Sequence, residues 1–260
     1  MLANKTVLIT GSTSGIGLGL ARAFAQAGAR VMLHGLGEPA AIEALRAEIA
    51  GTSGADVRFH EADLARPSAA ATLVAATEAA FGGIDILINN AGAQHVAPVE
   101  DFPIAGWHTL QDIILNASFH AIRAALPGMK RRQWGRIINI ASAHGLVASP
   151  FKSAYVAAKH GLIGLTKTVA LEVAETGITC NAICPGYVLT PLVENQIASQ
   201  AATHGLPRDR VIREVILAAQ PTKRFVEIEE IAALAVFLAG DPARSITGAA
   251  LAIDGGWTAR

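Results

Sequence analysis

Short runs of aliphatic and β-branched residues alternate with longer, Ala-rich stretches along the whole chain. We predict strands at 5–10, 30–34, 57–60, 84–89, 136–142, 178–184 and 249–253, and helices at 15–27, 39–50, 68–81, 105–130, 153–175 and 227–239. Such alternation is typical of a parallel sheet that helices cover on both faces. Since no linker, charge block or repeat divides the chain, we predict one α/β domain over residues 1–260, built on a Rossmann-type, doubly wound parallel sheet.

The segment 191–220 departs from this alternation. It is long, polar and bounded by prolines, and it follows the carboxyl end of a predicted strand, where ligands bind in open α/β sheets. Long loops in compact domains are often functional. We therefore expect a less regular, mobile lid near 191–220 that covers a substrate site, with a plain surface excursion as the alternative.

The balance of charges excludes several classes of protein. Of the 260 residues, 52% are hydrophobic and 16% are charged, and 21 basic side chains face 21 acidic ones, so the formal net charge is zero. A disordered chain would be more charged, and a nucleic-acid-binding protein would carry a basic patch. No apolar run reaches the roughly 18 residues of a membrane helix, and the N-terminus shows no secretory signal. We expect neither a nucleic-acid partner nor a membrane.

The two cysteines lie four residues apart in one predicted strand, at Cys180 and Cys184. The rise along a strand separates them by ~13 Å, whereas a disulfide needs Cα atoms within about 7 Å. We therefore expect two reduced thiols in the core, no metal site, and a cytoplasmic location.

A glycine-rich turn joins the first predicted strand to the first predicted helix. Glycines at 11, 15 and 17 permit a tight turn and let a pyrophosphate approach the helix N-terminus, whose free N–H groups favour anions. This context predicts nucleotide binding, with an ordinary strand-to-helix turn as the alternative.

The end of the second strand normally selects between NAD and NADP. An acidic residue there binds the ribose hydroxyl of NAD, and a basic residue binds the extra phosphate of NADP. The stretch 34–37 (His-Gly-Leu-Gly) has neither, and since no Arg or Lys stands at 14 or 35–37, NAD is favoured. Asp63-Leu64 is a candidate adenine contact or a helix cap, and Asn89-Asn90-Ala91-Gly92 lets the backbone approach a ribose.

Three residues form a candidate catalytic group. Ser142 ends a predicted strand, and Tyr155 and Lys159 lie four residues apart on one face of the next helix. A nearby ammonium favours the phenolate form of a tyrosine, which general-base chemistry requires. Each residue alone is more often structural, but their joint occurrence after a nucleotide-binding turn favours a catalytic function for the group.

These motifs also carry a family resemblance. They are Thr10-Gly11-x-x-x-Gly15-Ile16-Gly17, Asn89-Asn90-Ala91-Gly92, Asn116, Ser142, Tyr155-x-x-x-Lys159 and Pro185-Gly186 followed by Thr190. With this set the chain resembles the short-chain dehydrogenases/reductases. The resemblance implies that Tyr155 is the acid/base, that Ser142 orients the reacting oxygen, and that Lys159 binds the nicotinamide ribose and lowers the Tyr155 pKa. It also implies that Asn116 anchors a water in a proton relay.

The same resemblance implies which residues bind the dinucleotide. They are Gly11, Thr13, Ser14, Gly15, Ile16, Gly17, Leu36, Asp63, Leu64, Asn90, Ala91, Gly92, Tyr155, Lys159, Val188 and Thr190. The family is usually tetrameric, and the apolar region from 227 to 257 would suit a subunit interface. The resemblance therefore also implies a homotetramer.

Three polar residues should open toward the same mouth as the catalytic group: Gln94, His144 and Lys152. An amide, an imidazole and an ammonium together suit a carboxylate, which adds local positive character to a neutral chain. In the alternative interpretation His144 caps a loop and Lys152 is solvated.

A closer resemblance, within the family, is to the bacterial D-3-hydroxybutyrate dehydrogenases. It rests on the stretches 11–19, 89–96, 140–149, 152–161 and 254–260. It implies that Gln94, His144, Lys152 and Gln196 hold the substrate carboxylate, Gln196 arriving on the lid, and that Tyr187 and Trp257 enclose the methyl end. The chain departs from that group at Tyr187, where Trp is expected, and at Leu36, where a larger aromatic residue is common.

The activity implied is the reversible, NAD-dependent oxidation of D-3-hydroxybutyrate to acetoacetate. One alternative is a family relative that acts on another small hydroxy acid, a polyol or an acyl thioester. A second alternative is a non-catalytic NAD-sensing module.

Overall fold

A single seven-stranded parallel sheet forms the centre of the computed structural model, which describes residues 2–259. Its strands are β1 (Thr6–Ile9), β2 (Arg30–Gly35), β3 (Val57–Glu61), β4 (Ile86–Asn89), β5 (Gly135–Ile140), β6 (Ile178–Pro185) and β7 (Ala250–Ile253). Their order across the sheet is β3-β2-β1-β4-β5-β6-β7, and all neighbours pair in parallel. The predicted Rossmann-type sheet is confirmed.

Helices connect the strands, as the alternation predicted. They are α1 (Gly15–Gln26), α2 (Pro39–Ser53), α3 (Ala69–Phe81), α4 (Ile104–Gln111), α5 (Ala117–Arg132), α6 (Ser153–Glu172), α7 (Pro191–His204), α8 (Arg208–Arg210) and α9 (Ile228–Ala239). Two π-helical turns, Asp112–Asn116 and Val211–Ile216, continue α4 and α8. None of the helices in residues 2–259 is long and apolar enough to cross a membrane.

The two faces of the sheet are buried by different helices. In β1, Val7 and Ile9 belong to an apolar cluster with residues of α1, α2 and α9. Leu8, between them, belongs to a second cluster with residues of α3, α5 and α6. Because successive side chains of a strand point to opposite faces, an unbroken apolar strand requires a layer of helices on each side. The doubly wound arrangement is therefore confirmed.

The segment 191–220 is mostly helical, so the expectation of an irregular loop was wrong. Pro191 begins α7, where its missing N–H costs nothing, and Oγ1 of Thr190 caps that helix by accepting from the Val193 N–H. Gly205 ends α7 in the left-handed conformation. The segment also has an apolar cluster of its own, formed by Val193, Ile197, Val211, Ile216 and Leu217. Its mobility as a lid stays a prediction.

Candidate active site

The functional cleft opens where the order of the strands reverses. β1 lies between β2 and β4, and the crevice beyond the carboxyl ends of such strands is the usual ligand site of this architecture. A cavity of about 380 Å³ lies there. It is lined by fifteen of the sixteen residues predicted to bind the cofactor, namely Gly11, Thr13, Ser14, Gly15, Ile16, Gly17, Leu36, Asp63, Leu64, Asn90, Ala91, Gly92, Tyr155, Lys159 and Thr190. Val188, the sixteenth, lines the adjoining smaller cavity instead.

The glycine turn has the conformation and the close contacts that require glycine. Gly11 and Gly15 have φ values of +63° and +53°, in the left-handed region. At Gly17 a Cβ would lie 2.1 Å from the carbonyl oxygen of Gly11. The turn can therefore bring its backbone up to a bound phosphate without obstruction by side chains.

Hydrogen bonds from the residues that follow β4 hold this turn in place. Nδ2 of Asn90 donates to the carbonyl oxygens of Thr10 and Gly11, both at 2.9 Å. In return, Oγ1 of Thr10 accepts from the backbone N–H groups of Asn90 and Ala91, at 2.9 and 3.0 Å. The motif after β4, read from sequence as a ribose contact, thus also fixes the shape of the phosphate-binding turn.

His34 is a site residue that the sequence analysis did not predict. An acidic or basic side chain at the end of β2 indicates the choice of cofactor, and a neutral histidine gives no such signal. Its Nδ1 accepts from the Gly11 N–H at 2.9 Å, and its Nε2 lies 2.9 Å from the Ala62 carbonyl oxygen, so the imidazole joins the ends of β1, β2 and β3. Burial lowers its pKa, which favours the neutral ring that this pairing needs. The available signal was a histidine that directly follows the apolar run 31–33 of the predicted strand.

The cleft fits an extended anionic dinucleotide. Ser14 precedes α1, and its side chain makes no capping hydrogen bond, so the first N–H groups of this helix are available to a phosphate. At the adenosine end, Leu36 is 57% exposed and Asp63 accepts from the Ala65 N–H at 3.1 Å. Asp63 therefore both caps a turn and lines the cleft, which combines the two interpretations left open by the sequence.

Tyr155, Ser142 and Lys159 meet at the inner end of the cleft. The phenol of Tyr155 is hydrogen-bonded to the Ser142 hydroxyl, and Oγ of Ser142 also accepts from the His144 N–H at 3.1 Å. Nζ of Lys159 donates to the Ile140 carbonyl oxygen at 2.6 Å and lies 5.6 Å from the centre of the Tyr155 ring. Helix α6 and strand β5 thus bring together the three side chains that the sequence paired.

The electrostatics of this group differ from the expectation that Lys159 lowers the Tyr155 pKa. Loss of water around the phenol raises the pKa of Tyr155 to about 12, and the hydrogen bond with Ser142 offsets only part of that effect. Burial also lowers the pKa of the Lys159 ammonium to about 8. Desolvation therefore dominates over attraction between the two groups, and the phenol is protonated at neutral pH.

Asn116 is the one predicted catalytic residue that the structure does not bring to the centre. Its side chain is exposed, donates to the Asp112 carboxylate at 2.7 Å, and lines neither cavity. Asn116 ends the π-helical turn Asp112–Asn116, and such a turn shifts the following residues around the axis relative to a regular helix. From that turn it is Ile113 that lines the cleft. The proton-relay role implied by the resemblance therefore stays a prediction, and the side-chain amide lies away from both cavities.

A second cavity, of about 110 Å³, adjoins the catalytic group and has Ser142 and Tyr155 in its wall. Tyr187 and Trp257, which were expected to enclose the methyl end of the substrate, are stacked on each other. Their ring centres are 5.6 Å apart and their planes differ by 6°. The wall holds seven of the eight predicted substrate residues: Gln94, Ser142, His144, Lys152, Tyr155, Tyr187 and Trp257.

Gln196, the eighth predicted substrate residue, does not line the cavity itself but is hydrogen-bonded to Gln94, which does. Its Nε2 donates to Oε1 of Gln94 at 2.9 Å, so α7 does carry this residue to the mouth of the site. Nε2 of Gln94 is buried and has no hydrogen-bond partner among residues 2–259. A buried donor without an acceptor in the wall of a cavity is a ready contact for an anionic ligand.

The positive character expected from His144 and Lys152 comes from Lys152 alone. Burial, and then the charge of Lys152, lower the pKa of His144 to about 4, so its imidazole is neutral at physiological pH. Its Nε2 pairs with Oγ of Ser149 at 2.9 Å. His144 can offer a substrate hydrogen bonding and shape, and Lys152 supplies the charge.

Comparison with known proteins places the chain in a family. A family model described as enoyl-(acyl carrier protein) reductase matches residues 11–258. A protein named D-beta-hydroxybutyrate dehydrogenase from Rhizobium meliloti is 59% identical over 256 residues, which cover 98% of this chain and 99% of the relative. A protein of the same name from Cupriavidus necator is 52% identical over 261 residues, which cover 100% of both chains.

Comparison with solved structures agrees with these sequence relatives. The solved structure of an actinorhodin polyketide ketoreductase variant with NADPH matches with a TM-score of 0.92 and 32% identity, and covers 100% of both chains. The chain belongs to the short-chain dehydrogenase/reductase family, as its motifs predicted.

Proposed function

We propose that this protein catalyses the reversible, NAD-dependent oxidation of D-3-hydroxybutyrate to acetoacetate. The observation that carries the proposal is the small cavity, which joins the Tyr155 and Ser142 hydroxyls to a buried ammonium, Lys152, and to the unpartnered Nε2 of Gln94. A hydroxyl-bearing carbon and a carboxylate a few atoms apart satisfy both ends of this cavity. Two relatives at 59% and 52% identity bear the name of this activity.

Different side chains of the site would bind the substrate and transfer the proton. The dinucleotide, when bound, accepts the hydride from C3 of the alcohol. Tyr155, whose phenol is protonated at neutral pH, gives its proton to the ketone oxygen during reduction. During oxidation the phenol must first lose its proton to solvent, and the phenolate then takes the proton of the substrate hydroxyl, while Ser142 holds the same oxygen in position. Lys159 binds the ribose from the inner end of the cleft. Lys152, Gln94 and the neutral His144 hold the carboxylate.

The charge of Lys152 gives the sharpest test of the substrate. We expect Lys152→Ala to lower kcat/KM for 3-hydroxybutyrate far more than for a neutral secondary alcohol such as 2-butanol, because only the acid needs a counter-charge. Steady-state kinetics on both substrates would show this difference. Lys130→Ala, at the solvent-facing end of α5, is the matched control for loss of a lysine. Equal losses on the acid and the alcohol would remove Lys152 from carboxylate recognition.

The cofactor proposed is NAD. Of the residues that line the cleft, Lys159 is the one Lys or Arg, and it lies at the catalytic end, so the described residues provide no cation for a 2′-phosphate at the adenosine end. We expect a much higher kcat/KM with NAD than with NADP. Leu36→Arg, which adds a guanidinium at that end, should raise the use of NADP. A preference for NADP in the unaltered protein would overturn the assignment.

Reduction of an acyl chain that is carried as a thioester is the second candidate, because the matching family model is described as an enoyl-(acyl carrier protein) reductase and the similar structure is that of a polyketide ketoreductase. A thioester is neutral near its reacting carbon and would leave Lys152 unused. A panel of 3-hydroxybutyrate, longer 3-hydroxy acids, a polyol and an acyl thioester would separate the candidates. Cofactor binding without hydride transfer to any of them would instead favour the NAD-sensing module.

The homotetramer and the cytoplasmic location are proposals that accompany this function. Exposed apolar side chains on α5 and α9, Phe119 (46% exposed) and Phe237 (45%), support self-association. Strand β7 pairs with β6 and is only half-buried. Analytical ultracentrifugation would measure the number of subunits. Cys180 and Cys184 are both free and buried, in keeping with a reducing compartment.

A further inference from the structure

The hydroxyl of Tyr187 lies at the charged end of the small cavity and not at its apolar end. Nζ of Lys152 donates to Oη of Tyr187 at 3.1 Å, and the same ammonium is 5.3 Å from the centre of the Tyr187 ring. The sequence comparison had assigned this residue only to the methyl end of the substrate. Its ring does pack on Trp257, but its oxygen contacts the group that recognises the carboxylate.

Tyr187 is held firmly enough to fix the position of another side chain. Its ring is stacked on Trp257 and its edge meets His144, with ring centres 6.5 Å apart. Its backbone N–H donates to Oε1 of Gln220 at 3.0 Å, and its carbonyl oxygen accepts from the Val226 N–H at 2.8 Å. Both the ring and the backbone of Tyr187 are therefore restrained.

Lys152, by contrast, has few restraints of its own. It is buried, with 9% of its surface exposed, and it makes no ion pair among residues 2–259. Oη of Tyr187 is the one hydrogen-bond acceptor that its ammonium has within the described chain. An ammonium has three N–H donors, so two are left for a ligand once the phenol takes one. A flexible four-carbon side chain loses much entropy on ordering, and a fixed acceptor reduces the loss that substrate binding would otherwise incur.

We propose that Tyr187 is a positioning residue, which holds the Lys152 ammonium ready for the substrate carboxylate and so sets the preference for a short 3-hydroxy acid over an uncharged alcohol. The inference rests on the proposed function. The phenolic oxygen of Tyr187 is the atom on which this role depends. A tryptophan could preserve a stacked ring at this position, but its indole nitrogen only donates and cannot accept a hydrogen bond from an ammonium.

Three variants test the role of that oxygen. We expect Tyr187→Phe to raise KM for 3-hydroxybutyrate about tenfold, as loss of a hydrogen bond to a charged group would, and to change kcat little. Tyr187→Trp should show the same rise in KM although it keeps an aromatic ring at this position. In the double variant Lys152→Ala/Tyr187→Phe, removal of the hydroxyl should add no further loss, because it acts through a group already absent.

A neutral substrate separates positioning from packing. The loss of kcat/KM caused by Tyr187→Phe should be several-fold smaller with 2-butanol than with 3-hydroxybutyrate, whereas a merely structural role would lower kcat/KM equally for both substrates. An unchanged KM for 3-hydroxybutyrate in Tyr187→Phe, or full additivity in the double variant, would overturn the inference. In either case the unaltered protein would still oxidise 3-hydroxybutyrate and the proposed function would stand. No turnover of 3-hydroxybutyrate by the unaltered protein would overturn both.

Discussion

Nε2 of Gln196 donates a hydrogen bond to Oε1 of Gln94 across 102 positions of sequence, at 2.9 Å. This bond ties α7 to the segment that follows β4. With the two amides oriented this way, the oxygen of Gln94 is occupied and its nitrogen is left as a buried donor at the small cavity.

Loss of this bond should weaken substrate binding. We expect Gln196→Ala to raise KM for 3-hydroxybutyrate about three- to tenfold, the effect of one neutral hydrogen bond, with little change in kcat. Gln196→Glu should raise KM further than Gln196→Ala does, because a carboxylate would accept a hydrogen bond from Gln94 and repel the substrate carboxylate. Gln200→Ala is the control, since Gln200, on the same helix, pairs with His204 at an exposed position. A Gln196→Glu variant with unaltered KM would contradict the arrangement.

Removal of the Tyr155 hydroxyl should abolish turnover. Tyr155→Phe keeps the ring but has no proton to exchange, so we expect kcat to fall by at least about a hundredfold, the usual contribution of a general acid or base. Binding of NAD, measured by calorimetry, should be nearly unchanged, because the turn and the helix N-terminus that bind the pyrophosphate are intact. Retained turnover would refute the role of Tyr155.

Substitution of Asn116 should leave catalysis intact. Its exposed amide pairs with Asp112 and lines neither cavity, so we expect Asn116→Ala to keep kcat and the pH dependence of kcat close to those of the unaltered protein. The pH profile is the informative measurement, because loss of a proton relay would change its shape. A large fall in kcat with a shifted profile would contradict this expectation and would assign the relay role implied by the family resemblance to the side chain.

His144 should make the folded state less stable in acid. Its pKa is lowered to about 4 in the folded protein, against 6.5 for the unperturbed group, so between these pH values the unfolded chain binds the extra proton. The free energy of unfolding should therefore fall as the pH drops from about 6.5 to 4, by up to about 3 kcal/mol from this residue.

His144→Gln removes that titration and keeps a polar side chain. Denaturant unfolding at several pH values should show a shallower loss of stability for His144→Gln over this window than for the unaltered protein. His108→Gln, at an exposed position of α4, is the matched control and should keep the original slope. Parallel curves for His144→Gln and the unaltered protein would show that His144 is not the group responsible.

Gly17 should tolerate no side chain. A Cβ there would lie 2.1 Å from the Gly11 carbonyl oxygen and 2.5 Å from Nδ2 of Asn90, so the turn that receives the pyrophosphate would have to move. We expect Gly17→Ala to weaken NAD binding at least about tenfold, or ~1.4 kcal/mol. Gly51 in α2 has no atom within 4 Å of its Cβ position, and Gly51→Ala should stabilise the protein by about 0.5–1 kcal/mol. Equal Kd values for the Gly17 and Gly51 variants would contradict this account.

Much of the fold and of the catalytic group could be predicted from the sequence because their signals are local. The strand-to-helix alternation, the glycine turn and the four-residue spacing of Tyr155 and Lys159 each depend on residues close together in the chain. In a parallel sheet the carboxyl ends of all strands lie at one edge, and few topologies are possible. Asn90, after β4, and Ser142, after β5, therefore lie on the same side of the sheet. The helical content of 191–220 was missed although Pro191 is itself a helix-start signal.

Other properties depended on contacts between residues that are distant in sequence or on burial that no spacing reveals. The π-helical turn decided that Asn116 faces solvent, and desolvation decided that the pKa of Tyr155 rises and that His144 is neutral. The sequence by itself determined which chemical groups are present and which end of the sheet they share, because helix and strand periodicity are local. Only the tertiary structure decided that the Tyr187 oxygen meets Lys152, because packing between segments 35 residues apart sets that contact.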